Sequence, residues 1–431
     1  RADLDRELLF SREDDDVESI DARMQAFQTW RKKLIVCTVD SVLGLIQNNR
    51  KPLYAWAAIA QGAFVFDEVH AYDDRLFGAL LQFLRAFRGA PILLMSASFT
   101  NGQLQKIREV MAELGEDIAD PIKGPQQLEE LPRYQFRSID TNSPQASPEI
   151  WQAVIDTLKQ RRKVLWVTNS VQTCIDLYRE AKIQLAKEGL EPPLIYHSRY
   201  RYFDRLDKHK QVIAAFRHND APVLAITTQV CEMSLDLSAD LLLTAMAPAA
   251  AIIQRLGRLN RRVSELVDGV YTLDSGKICT CIVYPWENSR PYQEELETGK
   301  QLVDRLQENL AISQQDLADV AIELGCHQPE LSSSAWLEGN WASYQGILRS
   351  GGITITALLQ QDIDIIKSKA QQRQTKNNSY FGQALMAEAQ GYAVPIIPPK
   401  GWYEWKKIRF YPIAPPTAIT YSPETGAEQC K

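Results

Sequence analysis

Apolar residues along this chain fall into short β-branched and aromatic runs that alternate with stretches of helical period. LIVCTVDSVLGLI (Leu34–Ile46) predicts a strand, a Thr-Val-Asp-Ser turn and a helix. AFVFDEVH (Ala63–His70) predicts a buried strand closed by two adjacent carboxylates and a histidine. Ala71–Arg88 then sets Leu76, Leu80, Leu81, Leu84 and Phe87 at helical spacing, so one face packs on a sheet. PILLM (Pro91–Met95) is a further buried strand, ending in Ser96-Ala97-Ser98. Two consecutive strands therefore deliver polar side chains at their carboxyl ends, where an open α/β sheet binds its ligands.

The pattern breaks over 117–148, where five prolines and little periodicity predict a linker. Alternation resumes beyond it. Strands are predicted at Val164–Thr168, Leu194–Tyr196, Val223–Thr227 and Leu241–Thr244, with helices at Val171–Ala186 and Lys208–Phe216, which implies a second parallel, doubly wound sheet. Past Trp286, Tyr292–Leu324 reads as an amphipathic helix or helix pair, and Ile353–Leu359 and Tyr392–Ile397 as strands separated by a mobile polar region, Gln371–Ser379. Gly401–Pro412 interleaves Trp402, Tyr403, Trp405, Phe410 and Tyr411 with Lys406, Lys407 and Arg409. It reads first as an alternating strand with its aromatics in a small core, and second as a surface for single-stranded nucleic acid or a protein partner. The predicted organisation is a partial first α/β lobe over 1–116, the linker over 117–148, a second lobe over 149–286 and an accessory α+β domain over 287–431.

Composition narrows this picture little. With 431 residues, 45% apolar and 24% charged, the chain can bury two or three cores. A net charge of −6 excludes a polybasic coat, so any nucleic acid must lie in a local basic groove. The seven cysteines are scattered and never spaced as CxxC, which fits reduced thiols and gives no zinc site. No apolar run reaches the roughly 18 residues of a membrane span and the first residues are not signal-like, so a cytoplasmic protein with no membrane partner is expected. The run Asp14, Asp15, Asp16 reads as solvated, because consecutive carboxylates do not converge on one ion without a turn.

Candidate chemistry centres on Asp67 and Glu68. Asp67 can hold Mg²⁺ through its waters while Glu68 polarises an attacking water; the plain alternative is a helix cap with a solvated neighbour. Thr38, at a helix start, can hold a phosphate, against simple capping by Asp40 or Ser41. QRLGRLNRR (Gln254–Arg262) puts four arginines in eight positions. Arg255, Arg258 and Arg262 fall on about one helical face, with Arg261 beside Arg258, looking across an interface where arginine can stabilise a transferring phosphoryl group.

DEVH (Asp67–His70), SAS (Ser96–Ser98), TTQVCEMSLD (Thr227–Asp236) and QRLGRLNRR, in that order, resemble the motifs of superfamily 2 helicases. Within that superfamily the wording from Thr228 to Arg262, with HSRYRYFDR (His197–Arg205), most resembles the CRISPR-associated helicase that acts with type I surveillance complexes. The resemblance implies two RecA-like lobes, ATP and Mg²⁺ as cofactors, and 3′ to 5′ translocation on single-stranded DNA, with recruitment by a guide-RNA-bearing surveillance complex. It implies that Asp67 holds Mg²⁺, Glu68 activates water and His70 senses nucleotide. Ser96 and Ser98 would couple hydrolysis to movement, Asp236 would reach the ribose, and Gln254, Arg258 and Arg261 would address the γ-phosphate. Thr38, Thr228 and Gln229 would face DNA, and the third domain would cover the exit of the DNA channel.

Three departures from the family pattern stand out. SAS replaces the commoner SAT, and Ser238 stands where an acid is frequent. No GxxxxGK[ST] occurs; Gly346–Ile353 comes nearest but has glycine where the lysine belongs. Only 37 residues precede Thr38, too few for a phosphate loop with its strand and helix, so the chain is expected to begin inside the first lobe; a nucleotide-binding relic is the alternative. No histidine is followed by aspartate, so the metal-dependent nuclease of relatives is expected either upstream of the missing start or, the favoured reading, in a separate subunit, in a type I-D-like arrangement. Another superfamily 2 motor and a hydrolysis-deficient docking adaptor remain the rival functions.

Overall fold

A computed structural model describes residues 30–96, 99–116, 118–217, 221–265, 270–287, 292, 296–324, 354–377 and 380–430. The acidic run at 14–16, Ser98, His218, Cys326, His327 and the stretch 346–353 lie outside the described residues. The chain divides into two units, 1–122 with 321–351 and 123–320 with 352–431.

In the first unit β1 (Phe64–Phe66) pairs in parallel with β2 (Ile92–Leu94), Phe64 opposite Ile92 and Phe66 opposite Leu94. Helix α1 (Asp74–Ala86) starts where Asp73 accepts a hydrogen bond from the Leu76 amide. It buries Leu76, Phe77, Leu80, Leu81 and Phe83, and Phe83 meets the rings of Phe64 and Phe66 edge-on. Helix α2 (Asn101–Glu113) opens with a capping box between Thr100 and Gln103. The strand expected at the start of Leu34–Ile46 does not form. Leu34 and Val36 are 85% and 94% exposed, because a strand exists only through ladder bonds and no neighbouring edge among the described residues supplies them. The helix that follows is short, Asp40–Leu43, and has no side-chain cap.

The second unit is built on six parallel strands in the order β3-β10-β7-β4-β6-β5. These are β3 (Tyr134–Ser138), β4 (Lys163–Val167), β5 (Leu194–Tyr196), β6 (Val223–Thr227), β7 (Leu241–Ala245) and, after the hairpin of β8 (Val263–Glu265) and β9 (Tyr271–Leu273), β10 (Cys279–Tyr284). The central strands are buried along their whole length, as their near-continuous Val/Leu/Ile runs require. Helices α3 (Pro148–Lys159) and α4 (Val171–Lys187) cover one face, where Trp151 packs on Trp166; α5 (Tyr202–Arg217) follows β5 and α6 (Val230–Ser234) follows β6. The stretch read as a linker proves to contain β3, the edge strand held by β10. Its prolines flank the strand, where they cost no ladder bonds. The expected helix pair appears as Leu296–Leu306 and Gln314–Leu324.

The accessory residues form a four-stranded sheet, β12-β11-β14-β13, and a separate hairpin, β15-β16. The strands are β11 (Ile355–Leu359), β12 (Val394–Ile396), β13 (Lys407–Ile408), β14 (Tyr411–Ala414), β15 (Ile419–Ser422) and β16 (Gly426–Gln429). The polar stretch expected to be mobile is helical as far as Asn377. It belongs to a helix, Ile363–Asn377, that packs on its neighbour Phe381–Tyr392, with Arg373 paired to Glu388 across them.

That domain is clasped to the second lobe through the HSRYRYFDR segment. Arg201 binds Asp362 with two donors, at 2.8 and 2.6 Å, and lies over the Tyr421 ring at 4.1 Å. Tyr200 donates to the Glu424 carbonyl at 2.6 Å, and the Ala427 amide donates to the Arg199 carbonyl at 2.8 Å. Gly426, at φ 74, passes so close to Arg199 that an added Cβ would meet the Arg199 carbonyl oxygen at 2.4 Å. His197, fully buried, shares its Nε2 with the Thr425 carbonyl at 3.1 Å and takes the Arg199 amide on Nδ1 at 3.2 Å, which fixes the neutral Nε2–H form.

Burial, helped by Arg199, lowers the His197 pKa to about 3. In the unfolded chain the ring takes a proton below its ordinary value near 6.5, whereas the folded ring stays neutral, so stability falls as pH drops through that window. Compared with His197→Gln, the native protein is expected to lose about 1.4 kcal/mol more stability per pH unit between pH 6 and pH 4. Urea unfolding at several pH values checks this; parallel profiles for the two proteins would refute it.

Candidate active-site residues

In the first unit the acidic pair follows β1 directly. The Met95 amide donates to the Phe66 carbonyl at 2.8 Å and the Val69 amide to the Met95 carbonyl at 3.0 Å, so pairing with the second strand carries past the acids. Val69 is fully buried and anchors the turn, while Asp67 is exposed and Glu68 half-buried. Glu68 takes the left-handed conformation, φ 53, costly for a residue with a long side chain. Its amide is turned onto Asp67 Oδ1 at 2.9 Å.

The Glu68 carboxylate lies 3.2 Å from His70 Nε2, and His70 Nδ1 lies 3.3 Å from Ser96 Oγ. Burial lowers the His70 pKa, against the pull of Glu68 and Asp67. The neutral ring can then donate from Nε2 to Glu68 and accept the Ser96 hydroxyl at Nδ1. Three predicted site residues thus form one chain of contacts, with Asp67 at its end. Thr38 is exposed and bonded to Ser41, 3.3 Å away.

The second unit carries the arginine motif at the end of α7 (Ala249–Leu256), which buries its apolar amino half as its composition predicts. Arg255, expected on an outward face with Arg258, is instead fully buried. All five of its donors are used: Nε on Glu232 at 2.7 Å, Nη1 on Thr244 Oγ1 at 2.7 Å and the Ala245 carbonyl at 3.0 Å, and Nη2 on Asn169 at 2.9 Å and the Tyr292 hydroxyl at 3.0 Å. The helix ends at Leu256, so Arg258 and Arg261 leave the helical face on which spacing alone put them. Burial pushes the Glu232 carboxyl up and Arg255 opposes the push.

Arg258 reaches the carbonyls of Cys231 at 3.0 Å and Glu232 at 2.5 Å in the short helix α6 (Val230–Ser234). Arg261 is half exposed and pairs with the more exposed Asp236 at 3.4 Å. Gln254 is half-buried on α7. Thr228, expected to face DNA, is 2% exposed, because the chain turns inward to start α6; Gln229 gives its amide to the Asn169 carbonyl at 2.9 Å.

Residues that sequence reasoning passed over hold the arginine turn. Asn260 is buried at φ 50, a conformation asparagine tolerates better than most residues. Its amide donates to the carbonyls of Arg133 at 3.0 Å and Lys277 at 2.8 Å and accepts from Ser275 at 2.6 Å. Ser238, the departure from the family pattern, accepts the Arg261 amide at 3.1 Å. A polar residue inside an arginine run was the available signal. Among the described residues no group of three or more His, Cys, Asp or Glu side chains could hold a metal ion, and no helix is long and apolar enough to cross a membrane.

The motifs are carried by α/β units of RecA-like fold, one with an acidic strand end and the other with an arginine turn. The family model described as CRISPR-associated nuclease/helicase Cas3, C-terminal, matches residues 160–264. A Myxococcus xanthus protein named as a CRISPR-associated nuclease/helicase Cas3 is 37% identical over 413 residues, covering 94% of this chain and 50% of its own. The crystal structure of T. fusca Cas3-ATP superposes with TM-score 0.66 at 16% identity, covering 91% of this chain and 57% of that one. A chain from a CRISPR RNA-guided surveillance complex, pre-nicking, superposes with TM-score 0.62 at 16% identity, covering 93% and 61%. Over nearly its whole length the chain is similar to CRISPR-associated nuclease/helicase Cas3 proteins, which supports its reading as a CRISPR-associated superfamily 2 helicase. It spans about half the length of the M. xanthus relative.

Proposed function

We propose that the intact protein is an ATP-dependent translocase on single-stranded DNA, recruited by a CRISPR type I surveillance complex and its guide RNA to unwind target DNA in the cytoplasm. The observation that carries this reading is the left-handed Glu68 beside Asp67, with its carboxylate tethered to the buried His70 and onward to Ser96. Strain at a half-buried acid is rarely kept without a use. Mg²⁺ bound with ATP would neutralise charge on the phosphates. Asp67 suits it, since one oxygen takes the Glu68 amide and the other is left for an ion that asks few protein ligands.

Glu68 would orient the attacking water, and His70 would read its state. Arg258 and Arg261 would supply positive charge to the γ-phosphate, Gln254 would join them and Asp236 would bind the ribose. The nuclease would be a separate subunit. ATP hydrolysis measured with single-stranded DNA, duplex DNA and RNA tests the reading. Stimulation by single-stranded DNA above the other two is expected; preference for RNA or duplex would replace it with another superfamily 2 motor, and no hydrolysis at all with an adaptor.

A further inference from the structure

The aromatic and basic stretch near the carboxyl end does not form the single strand that its alternation predicts. Trp402–Glu404 makes one helical turn, and β13 and β14 form a tight hairpin, with Lys407 opposite Pro412 and Ile408 opposite Tyr411. The aromatics are thereby sorted. Trp405 packs against the core of the accessory sheet and Tyr411 is buried. Tyr403 and Phe410 are each 57% exposed.

Phe410 stands at the hairpin tip behind Arg409, whose φ of 52 is the left-handed conformation that arginine seldom takes. The Arg409 guanidinium lies over Gly382, where an added Cβ would meet Nη2 at 2.6 Å; two residues earlier Tyr380 is 81% exposed. Lys406, Lys407 and Arg409 are exposed and make no ion pair among the described residues. Surface cations elsewhere do pair, as Lys159 does with Glu188, Arg179 with Glu428 and Lys182 with Glu424. From Lys400 to Phe410 four cations face one acid, in a chain of net charge −6.

We propose that this hairpin tip is a binding site for single-stranded nucleic acid, with bases stacking on Phe410 and Tyr403 and phosphates meeting Lys406, Lys407 and Arg409. The charge is complementary to a phosphate backbone, and exposed ring faces suit unstacked bases. Duplex would leave the rings idle. A protein interface would deplete charge around its aromatic anchors, whereas here the cations interleave with them. The inference deepens the proposed function and rests on its single-stranded substrate, but uses none of the nucleotide-site residues.

The test uses the intact protein, fluorescently labelled oligothymidylate and anisotropy titrations at several salt concentrations. Phe410→Ala is expected to weaken binding roughly tenfold, with Phe410→Trp restoring it. Lys406→Gln with Lys407→Gln should lower the slope of log affinity against log salt by about 1.4. Both substitutions sit on the surface, so an unchanged melting temperature accompanies the expected result. Unchanged affinity and slope, with DNA-stimulated hydrolysis intact in the unsubstituted protein, would overturn this site and leave the functional reading standing. Lost capture by the surveillance complex with unchanged oligothymidylate affinity would make the tip a protein-docking surface and overturn it too. Tip-dependent binding without any hydrolysis would sink the translocase and keep the site.

Discussion

Glu68→Gln in the intact protein is expected to abolish DNA-stimulated ATP hydrolysis while leaving ATP binding in place. Glutamine keeps the length and shape of the side chain and can still meet His70, so the left-handed turn at Asp67-Glu68 survives. What it loses is the carboxylate that, in the proposed reaction, would accept a proton from water as the phosphoryl group transfers. Positioned acid–base groups contribute about 10²–10⁴-fold, so turnover should fall by that order. Single-turnover hydrolysis beside equilibrium binding of a labelled nucleotide separates the two effects. Undiminished turnover would remove Glu68 from the chemistry. Glu68→Gly adds a structural control, since glycine tolerates φ 53 without strain and should hold or raise stability while losing turnover.

Removing Arg255 should have the largest effect on folding. Arg255→Met takes five donors from a site with no water-facing side and leaves Glu232 buried without its cation. Breaking a buried pair from one side costs about 3–5 kcal/mol. Arg255→Lys keeps the charge but has three donors for five acceptors, and is expected to cost less, about 1–3 kcal/mol. Urea unfolding of the two variants measures the difference; a loss below 1 kcal/mol for methionine would show that the hub contributes little. Because Arg258 hangs on the carbonyls of the same short helix that carries Glu232, the damage should reach the arginine turn as well.

The parallel sheet of the second unit was legible because its strands are short apolar runs between amphipathic helices, and period alone reports burial. The acidic strand end was legible from polar residues placed where an apolar run stops, but the burial expected of its two strands does not follow, since Val65 and Leu93 are 64% and 50% exposed. Leu34–Cys37 has an equally good strand pattern and makes none, since pairing needs an edge that a local pattern cannot report. β3 was hidden by the opposite error: its prolines looked like a linker, yet they lie outside the paired residues. The clasp of HSRYRYFDR on the carboxyl-terminal hairpin joins residues more than two hundred positions apart, and no local signal announces it.

The sequence by itself determined the class of the chain: two α/β lobes, an acidic pair at one strand end and an arginine motif after the second sheet. These follow from hydrophobic period and residue chemistry, which are local. Only the tertiary structure decided which arginine does what. Helical spacing put Arg255 and Arg258 on one face, but the helix ends at Leu256, and burial then turned Arg255 into a hub while Arg258 and Arg261 took other partners. Tertiary structure likewise sorted Trp405 and Tyr411 inward and Tyr403 and Phe410 outward. Identical side chains along a run differ in role only through what the rest of the chain packs against them, and that is fixed by contacts distant in sequence.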